Sequence, residues 1–251
     1  MANAIPPLKH KEAFKKVLAD YTPTPSAQKL FQNLRFVVLS GVAAGGRNTV
    51  ISYLVHNADY YFVVSDTTRP PKLRDGKMEQ NGVQYWFRDE ADMLKEIQQG
   101  KFLEAELIHN QQVSGTSLRE LEKAANANKT AITEVEFGGA NNIVAIDPNV
   151  FAIGLLPPSY EEWLTRFRNR ETITDQEFYN RLQTAEKVLR NILEKPHFKI
   201  VINDNIKQCA EDIQKVVAGT YSQQAQIRAT EIAQAMLLSV ERHLQTVDAK
   251  A

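Results

Sequence analysis

A strand, a glycine-rich turn and a helix start follow one another in the segment Phe36-Val-Val-Leu-Ser40-Gly41-Val-Ala-Ala-Gly45-Gly46-Arg47-Asn48-Thr49. The continuous apolar run at its start is typical of a strand that is buried on both faces. Backbone N–H groups at the N-terminus of a helix bind anions, so a phosphate-binding loop requires this context. We therefore predict a strand over Phe36–Ser40, a helix over Arg47–Asn57 and an anion site between them.

The turn fits the phosphate-loop motif G-x-x-x-x-G-K-[S/T] at its two glycines, Gly41 and Gly46. The lysine position of the motif holds Arg47, and the hydroxyl position holds Asn48. Arginine keeps the positive charge but differs from lysine in length and planarity. The amide oxygen of Asn48 is neutral, although hard cations do accept such ligands. Considered alone, the segment also fits a glycine-rich turn that binds no nucleotide.

Strands alternate with helices on the C-terminal side of this loop. The predicted strands are Tyr60–Ser65, Ala131–Val135, Phe151–Leu155 and Phe198–Ile202. The predicted helices are Asp89–Gln99, Ser117–Asn128, Ser159–Asn169, Thr174–Lys195 and Ile206–Val217, and capping boxes open three of them at Ser117/Glu120, Ser159/Glu162 and Thr174/Glu177. The alternation indicates an α/β fold with a doubly wound, mostly parallel sheet, in which ligands bind beyond the carboxyl ends of the strands.

Both ends of the chain are predicted to be helical. Residues 1–34 contain two short helical patterns, separated by Tyr21-Thr-Pro-Thr-Pro25. A long helix is predicted from about Ser222 to Val247, with an apolar stripe formed by Ala229, Ala233, Met236, Val240 and Leu244. An exposed stripe of that length promotes aggregation. We therefore expect it to be buried, either on the N-terminal helices or in a homodimer formed through the C-terminal helix.

Composition excludes several classes of protein. Thirty basic and 30 acidic side chains give no net charge, and therefore no global field that attracts nucleic acid or an anionic membrane. The chain has no apolar stretch suited to a secretory signal and no run of the roughly 18 apolar residues of a membrane span. A single cysteine, Cys209, rules out an internal disulfide framework, and the five histidines lack metal-ligand spacing. We expect a soluble, cytoplasmic protein.

Four further segments carry a specific series of motifs. They are Ser65-Asp-Thr-Thr-Arg69-Pro-Pro-Lys72, Asn81-Gly-Val-Gln-Tyr85-Trp-Phe87, Phe102-Leu-Glu104 and Ser114-Gly-Thr116. In this order they resemble the monophosphate-binding segment of guanylate kinases, whose patterns are S-x-T-T-R-x-P-R, G-x-x-Y-x-F, F-[LI]-E and Y-G-[ST]. The resemblance extends from about residue 36 to about residue 213. It implies a P-loop kinase core.

The resemblance implies a division of the chain into three parts. A guanylate kinase-like domain is expected over residues 35–216, between a helical N-terminal extension (1–34) and a helical C-terminal extension (217–251). Within the domain, a segment that binds the nucleoside monophosphate (NMP) is expected over about residues 65–117, and a helical lid over about residues 159–185.

The same resemblance implies a set of GMP contacts. The residues expected to bind GMP are Ser65, Arg69, Lys72, Tyr85, Glu104, Thr116 and Glu136. Hydroxyl and cationic groups make charge-assisted bonds to a phosphate dianion, whereas Glu104 corresponds to the carboxylate that accepts from the guanine edge. Taken singly, Arg69 and Glu104 also fit a surface salt bridge. Glu134 and Glu136 stand at the family's acidic pair, with two solvent-exposed acids as the alternative.

The chain departs from the family pattern at three further points. Lys72 stands where the family has a second arginine, and Ser114 stands where it has a tyrosine. The chain also has about four additional residues between Lys72 and Tyr85. The nearby Arg74 is a candidate to replace the missing arginine.

The resemblance also implies an ATP site and a catalytic set. ATP is expected on Gly41, Val42, Ala43, Ala44, Gly45, Gly46, Arg47, Asn48 and Thr49. The expected catalytic residues are Arg47, Arg69 and the lid arginines Arg166, Arg170 and Arg181, since phosphoryl transfer depends on positioning and positive charge. The implied reaction transfers the γ-phosphoryl group of ATP to GMP, with Mg²⁺ held weakly by Asn48. The alternative is a catalytically weak or inactive guanylate kinase-like module that binds a nucleotide or a phosphorylated protein.

Overall fold

The structure is a computed structural model that describes residues 7–74, 77–108, 110–170 and 174–248, without the side chains of Arg74, Arg170 and Asp248. The chain forms two compact units. The first unit comprises Met1–Phe36, Tyr60–Thr133 and Asn141–Asn149. The second unit comprises Val37–Asp59, Glu134–Ala140 and Val150–Ala251. Each unit is therefore assembled from separate stretches of the chain.

Helices and strands alternate through most of the described part of the chain. Its helices are α1 (Lys11–Leu18), α2 (Pro25–Gln32), α3 (Arg47–Asn57), α4 (Glu90–Gln98), α5 (Leu118–Ala127), α6 (Phe137–Ile146), α7 (Tyr160–Arg170), α8 (Asp175–Glu194), α9 (Ile206–Val217) and α10 (Gln223–Asp248). Its strands are β1 (Phe36–Ser40), β2 (Tyr60–Phe62), β3 (Asp66–Thr67), β4 (Leu73–Arg74), β5 (Lys77–Met78), β6 (Trp86–Phe87), β7 (Phe102–Ile108), β8 (Gln112–Ser117), β9 (Thr130–Glu134), β10 (Phe151–Leu156) and β11 (Lys199–Ile202). None of the helices described here has the length and apolar character needed to cross a membrane.

The main sheet is parallel, as predicted. In the second unit β10 lies between β1 and β11, and in the first unit β2 pairs with β9. Hydrogen bonds within each unit then place β9 beside β1, since Ala131 N–H donates to Arg35 O and Val135 N–H donates to Leu39 O. The strand order is β11-β10-β1-β9-β2. Every residue of β1 is buried, which agrees with its apolar sequence and with a doubly wound sheet.

A second sheet, in the first unit, was not predicted from the sequence. Its order is β6-β3-β8-β7, and β7 and β8 form an antiparallel hairpin. A separate small hairpin, β4–β5, pairs Leu73 with Met78 and lies among the additional residues after Lys72. Helix α6 was also missed, because its first turn contains Gly138 and Gly139, which disfavour helix in isolation.

The three predicted capping boxes behave differently. Ser159 Oγ accepts a hydrogen bond from Glu162 N–H at 3.1 Å, and Thr174 Oγ1 accepts one from Glu177 N–H at 3.2 Å. Ser117 makes no such bond, so that prediction was wrong. The Glu120 carboxylate, which would form the second bond of the box, is buried and accepts instead from Val64 N–H (3.2 Å) and Lys123 Nζ (2.8 Å).

The C-terminal stripe is buried, as predicted, but its partner differs from the expected one. The stripe residues Ala229, Ala233, Met236, Val240 and Leu244 are at most 8% exposed. Helix α10 packs on α7, α8 and β11 of its own unit. The expectation that the N-terminal helices or a second copy cover the stripe was wrong, because α8 offers an apolar face that includes Leu182 and Leu189.

Candidate nucleotide-binding sites

The glycine-rich loop of the second unit has the tight geometry of an anion-binding turn. Gly46 has a φ of +92° and Ala44 a φ of +59°, values at which a glycine is favoured. A Cβ atom on Gly41 would lie 2.1 Å from Leu155 O on the neighbouring strand β10, so only glycine fits there. Helix α3 begins at Arg47, and the first N–H groups of a helix have no partner within it.

Side chains from later in the chain bind the loop's carbonyl groups. Trp163, which is fully buried on α7, donates from Nε1 to Ala43 O at 2.7 Å. The side chain of Asn203, at the end of β11, donates from Nδ2 to Gly45 O at 2.9 Å. These bonds hold the loop from outside. Within the loop, Gly45 N–H donates to Val42 O at 3.1 Å. The N–H groups of the first turn of α3 are therefore the groups of this region best suited to an anion.

Arg47 pairs with an acidic residue of the same unit. Its Nε lies 3.4 Å from Glu134 Oε2, and its Nη1 donates to Val135 O, also at 3.4 Å. The two ionic side chains are about one-fifth exposed. Glu134 is therefore not simply a solvated acid, whereas Glu136 is exposed. Among the described residues no group of three or more His, Cys, Asp or Glu side chains is placed to hold a metal ion.

The predicted lid arginines lie on α7 and α8 of the second unit. Arg166 donates from Nε to Glu162 Oε1 at 2.7 Å and from Nη1 to Asn203 O at 2.8 Å. Arg181 Nη2 lies 3.7 Å from Glu177 Oε1, and the Arg181 side chain is 44% exposed. The side chain of Arg170 lies outside the described residues. Through Asn203, which also binds Gly45, Arg166 is connected to the phosphate loop.

In the first unit, Glu104 and Thr116 face each other across the β7–β8 hairpin. They are register partners, and Thr116 Oγ1 donates to Glu104 Oε1 at 2.8 Å. Glu104 is 6% exposed and Thr116 is fully buried. Burial raises the pKa of Glu104 from 4.5 to about 7, and the bond from Thr116 partly opposes this rise. The pair is a buried acceptor beside a hydroxyl, which is the combination expected for the guanine edge.

Arg69 forms a buried ion pair with Glu79, a residue that the sequence did not single out. Nη1 lies 2.6 Å from Oε2 and Nη2 lies 3.0 Å from Oε1, and both side chains are almost fully buried. Lys72 N–H also donates to Glu79 at 3.0 Å. Arg69 stacks over Tyr85, with Cζ 4.7 Å from the ring centroid. The salt-bridge alternative was thus partly right for Arg69, although the pair lies in the interior and not on the surface.

The remaining predicted GMP contacts divide between the two units. Ser65 is buried in the first unit, where Lys72 is exposed and Tyr85 half-buried. Ser114 donates from Oγ to Thr67 Oγ1 at 2.9 Å. Glu136 belongs to the second unit. The side chain of Arg74 lies outside the described residues.

A parallel α/β sheet with a phosphate-type loop between its first strand and the next helix is the arrangement of P-loop nucleotide-binding proteins, and it agrees with a P-loop kinase fold. The family model for guanylate kinase matches residues 33–220. A guanylate kinase of Corynebacterium diphtheriae is 35% identical over 74% of this chain and 95% of its own length. Guanylate kinase 1 of Arabidopsis thaliana is 33% identical over 72% of this chain, which spans only 46% of that relative. The chain belongs to the guanylate kinase family.

A solved structure agrees with the fold. The crystal structure of a guanylate kinase from Anaplasma phagocytophilum matches with a TM-score of 0.56. The match covers 77% of this chain and 89% of the solved chain, at 22% identity. At that identity the likeness supports the α/β kinase fold and does not identify individual contact residues.

Proposed function

We propose that this protein transfers the γ-phosphoryl group of ATP to GMP, yielding ADP and GDP. The observation that carries the choice of GMP is the buried pair of Glu104 and Thr116, 2.8 Å apart. One carboxylate accepts the N1–H and N2–H donors of guanine together. The hydroxyl of Thr116, which donates to Glu104 in the structure, turns to guanine O6 when the base is bound. Adenine offers a different donor pattern and leaves such buried groups unpaired.

The phosphate of GMP is bound, in this proposal, by Ser65, Arg69, Lys72 and Tyr85. The hydrogen bonds of Arg69 to Pro70 O and to the Glu79 carboxylate use three of its N–H groups. A guanidinium carries five, so Nε–H and the second Nη2–H are assigned to the phosphate. Glu79 then fixes the orientation of this edge of the guanidinium. Glu136 remains a predicted contact of the guanine edge of GMP and not of its phosphate.

ATP binds the loop from Gly41 to Thr49 in this proposal. Arg47 exchanges Glu134 for the outer phosphates. Its contact with Glu134, at 3.4 Å, is longer than the 2.7–2.9 Å of a strong charge-assisted hydrogen bond. Asn48 and the carboxylates of Glu134 and Glu136 are oxygen donors of the type that Mg²⁺ accepts. When bound with ATP, Mg²⁺ neutralises charge on the β- and γ-phosphates. The arginines Arg166, Arg170 and Arg181 add positive charge from the lid.

Some features of the proposal concern the whole chain. The kinase-like domain over residues 35–216 and the helical extensions on either side of it remain predictions, as does a cytoplasmic location. A homodimer through α10 also remains a prediction, and it would use the outer side of the helix, where Ile227 and Leu238 are exposed. The inactive binding module is not favoured, since relatives named guanylate kinase match over most of the chain.

A coupled assay with ATP, Mg²⁺ and GMP tests the proposal, with AMP as the matched acceptor. A donor–acceptor mismatch at a buried group costs about 1–3 kcal/mol, so we expect AMP to be poorer by about tenfold or more. Equal turnover of the two acceptors would contradict the assignment of Glu104 to guanine. Binding of GMP without any transfer would favour the inactive module.

A further inference from the structure

The segment before the family match packs on the strand that carries Glu104. The family model begins at residue 33, so helices α1 and α2 lie outside it. Phe14 of α1 is fully buried in one cluster with Met93, Ile97, Phe102 and Val113. Both helices contact β7. The N-terminal segment is therefore part of the packed core of the first unit, directly behind the strand of the proposed guanine site.

The connection between α1 and α2 approaches the start of β7 closely. Gly100 has a φ of +69°, and a Cβ atom there would lie 2.5 Å from Thr24 Cγ2. Tyr21 belongs to the same connection and donates from its hydroxyl group to Phe102 O at 2.7 Å. The tyrosine is about half-buried, and burial raises its pKa, so the hydroxyl stays a donor at neutral pH.

The bond from Tyr21 falls at an irregularity of the β7–β8 hairpin. Phe102 is paired with Ser117, whereas Glu104 is paired with Thr116, so β7 has one extra residue between these pairs. An extra residue of this kind bends the strand and re-aims the following side chains. Here the following side chain is Glu104, which the bulge directs onto Thr116 Oγ1 at 2.8 Å.

We infer that Tyr21 is a positioning residue for guanine recognition, acting through the Phe102 carbonyl and the β7 bulge to hold the Glu104 carboxylate in place. The inference rests on the proposed role of Glu104 as the guanine acceptor. It assigns a role to the N-terminal segment: a kinase core built from residues 33–220 alone would lack the donor that fixes the bulge.

The test is direct binding of GMP and of ATP to the full-length chain, measured by calorimetry for the wild type and Tyr21→Phe. Loss of one hydrogen bond that aligns the acceptor is expected to weaken GMP binding about threefold to tenfold and to leave ATP binding unchanged. The matched control is Tyr221→Phe, which removes a tyrosine-to-strand bond of the same kind, from Tyr221 to Ile200 O at 3.0 Å, in the second unit. This control should leave GMP binding unchanged.

A double-mutant cycle with Glu104→Gln separates the inference from the function on which it rests. If Tyr21 acts through Glu104, Tyr21→Phe has no further effect on GMP binding in the Glu104→Gln background. An undiminished effect there, an equal loss for ATP, or no loss from Tyr21→Phe alone would overturn the positioning role while leaving the guanine assignment intact. If Glu104→Gln itself leaves GMP binding unchanged, the guanine assignment fails and the inference fails with it.

Discussion

Arg69 and Glu79 form a two-bond ion pair in the interior of the first unit, with N–O distances of 2.6 and 3.0 Å and both side chains at most 4% exposed. A buried charge is tolerated only when it is paired and hydrogen-bonded. The pair therefore has a structural consequence that does not depend on any ligand. It also determines which edge of the Arg69 guanidinium is presented to a phosphate.

Glu79→Ala should lower the free energy of unfolding by about 3–5 kcal/mol, because it leaves Arg69 as an uncompensated buried charge. Urea denaturation measures this change. Glu12→Ala is the control, since Glu12 is 80% exposed and pairs with Lys15 in the adjacent turn. The control should change stability by at most about 0.5 kcal/mol. A loss below about 1 kcal/mol for Glu79→Ala would show that Arg69 finds another partner.

GMP binding should strengthen as the pH rises through about 7. The pKa of Glu104 is raised to about 7 by burial, and the proposed role needs the ionised carboxylate. Between pH 6 and pH 8 the ionised fraction rises about tenfold, so the dissociation constant for GMP should fall by about that factor. The phosphate of GMP also titrates near pH 6. The Glu104→Gln variant measures this contribution of the ligand, because it lacks the carboxyl group of Glu104. Its pH dependence is subtracted from that of the wild type.

The same group affects stability with a defined sign. Between pH 4.5 and about pH 7, Glu104 is protonated in the folded protein and ionised in the unfolded chain. Stability therefore falls as the pH rises through this window. In Glu104→Gln this component of the pH dependence should vanish. An unchanged pH profile of unfolding in the variant would mean that the carboxyl group titrates normally in the folded protein.

Arg47→Ala should lower turnover by about 10² or more, equivalent to ~2.7 kcal/mol of transition-state stabilisation. The reason is that Arg47 occupies the position of the phosphate-loop lysine, and no other loop residue is cationic. Steady-state kinetics with saturating GMP measures the change. The double substitution Arg47→Lys with Asn48→Ser restores the motif and should preserve or raise turnover. Arg168→Ala, an exposed change on α7, should have little effect.

The outcome of this series also bears on the inactive-module alternative. An unchanged rate in Arg47→Ala would show that the loop is not the phosphate site. An inactive wild type that gains transfer through the double substitution would establish a binding module. Asn48 is the weaker Mg²⁺ ligand, so the wild type should need a higher Mg²⁺ concentration than the double variant.

Leu244→Asp should lower the thermal midpoint clearly, because it places a charge on the buried face of α10, which packs on α8. Leu244 is 8% exposed. The matched control on the same helix is Leu238→Asp, since Leu238 is 54% exposed. Calorimetric unfolding of both variants should show a large shift for the first and a small one for the second. Similar midpoints for the two variants would contradict the packing of α10 on its own chain.

Much of the phosphate loop and its context could be predicted from local sequence. The bounds of β1, α3 and α9 were predicted correctly, because an apolar run, a helical period and a cap residue are signals carried by neighbouring residues. The glycines of the loop are local signals as well, since Gly46 adopts a positive φ and Gly41 admits the close approach of another strand. The ordered motifs around Arg69, Glu104 and Thr116 predicted the family for the same reason.

The contacts that hold these residues in place were decided only by the tertiary structure. Glu79 binds Arg69, Trp163 donates to Ala43 O, and Tyr21 donates to Phe102 O. The spacing of each pair along the chain follows no helix or strand period. The capping box predicted at Ser117 does not form, and the Glu120 carboxylate is buried against Val64 and Lys123 instead. The raised pKa of Glu104 likewise depends on desolvation, which arises only when distant segments exclude water from the side chain. Local periodicity determines where an element begins and ends, whereas burial and long-range pairing depend on which elements pack together.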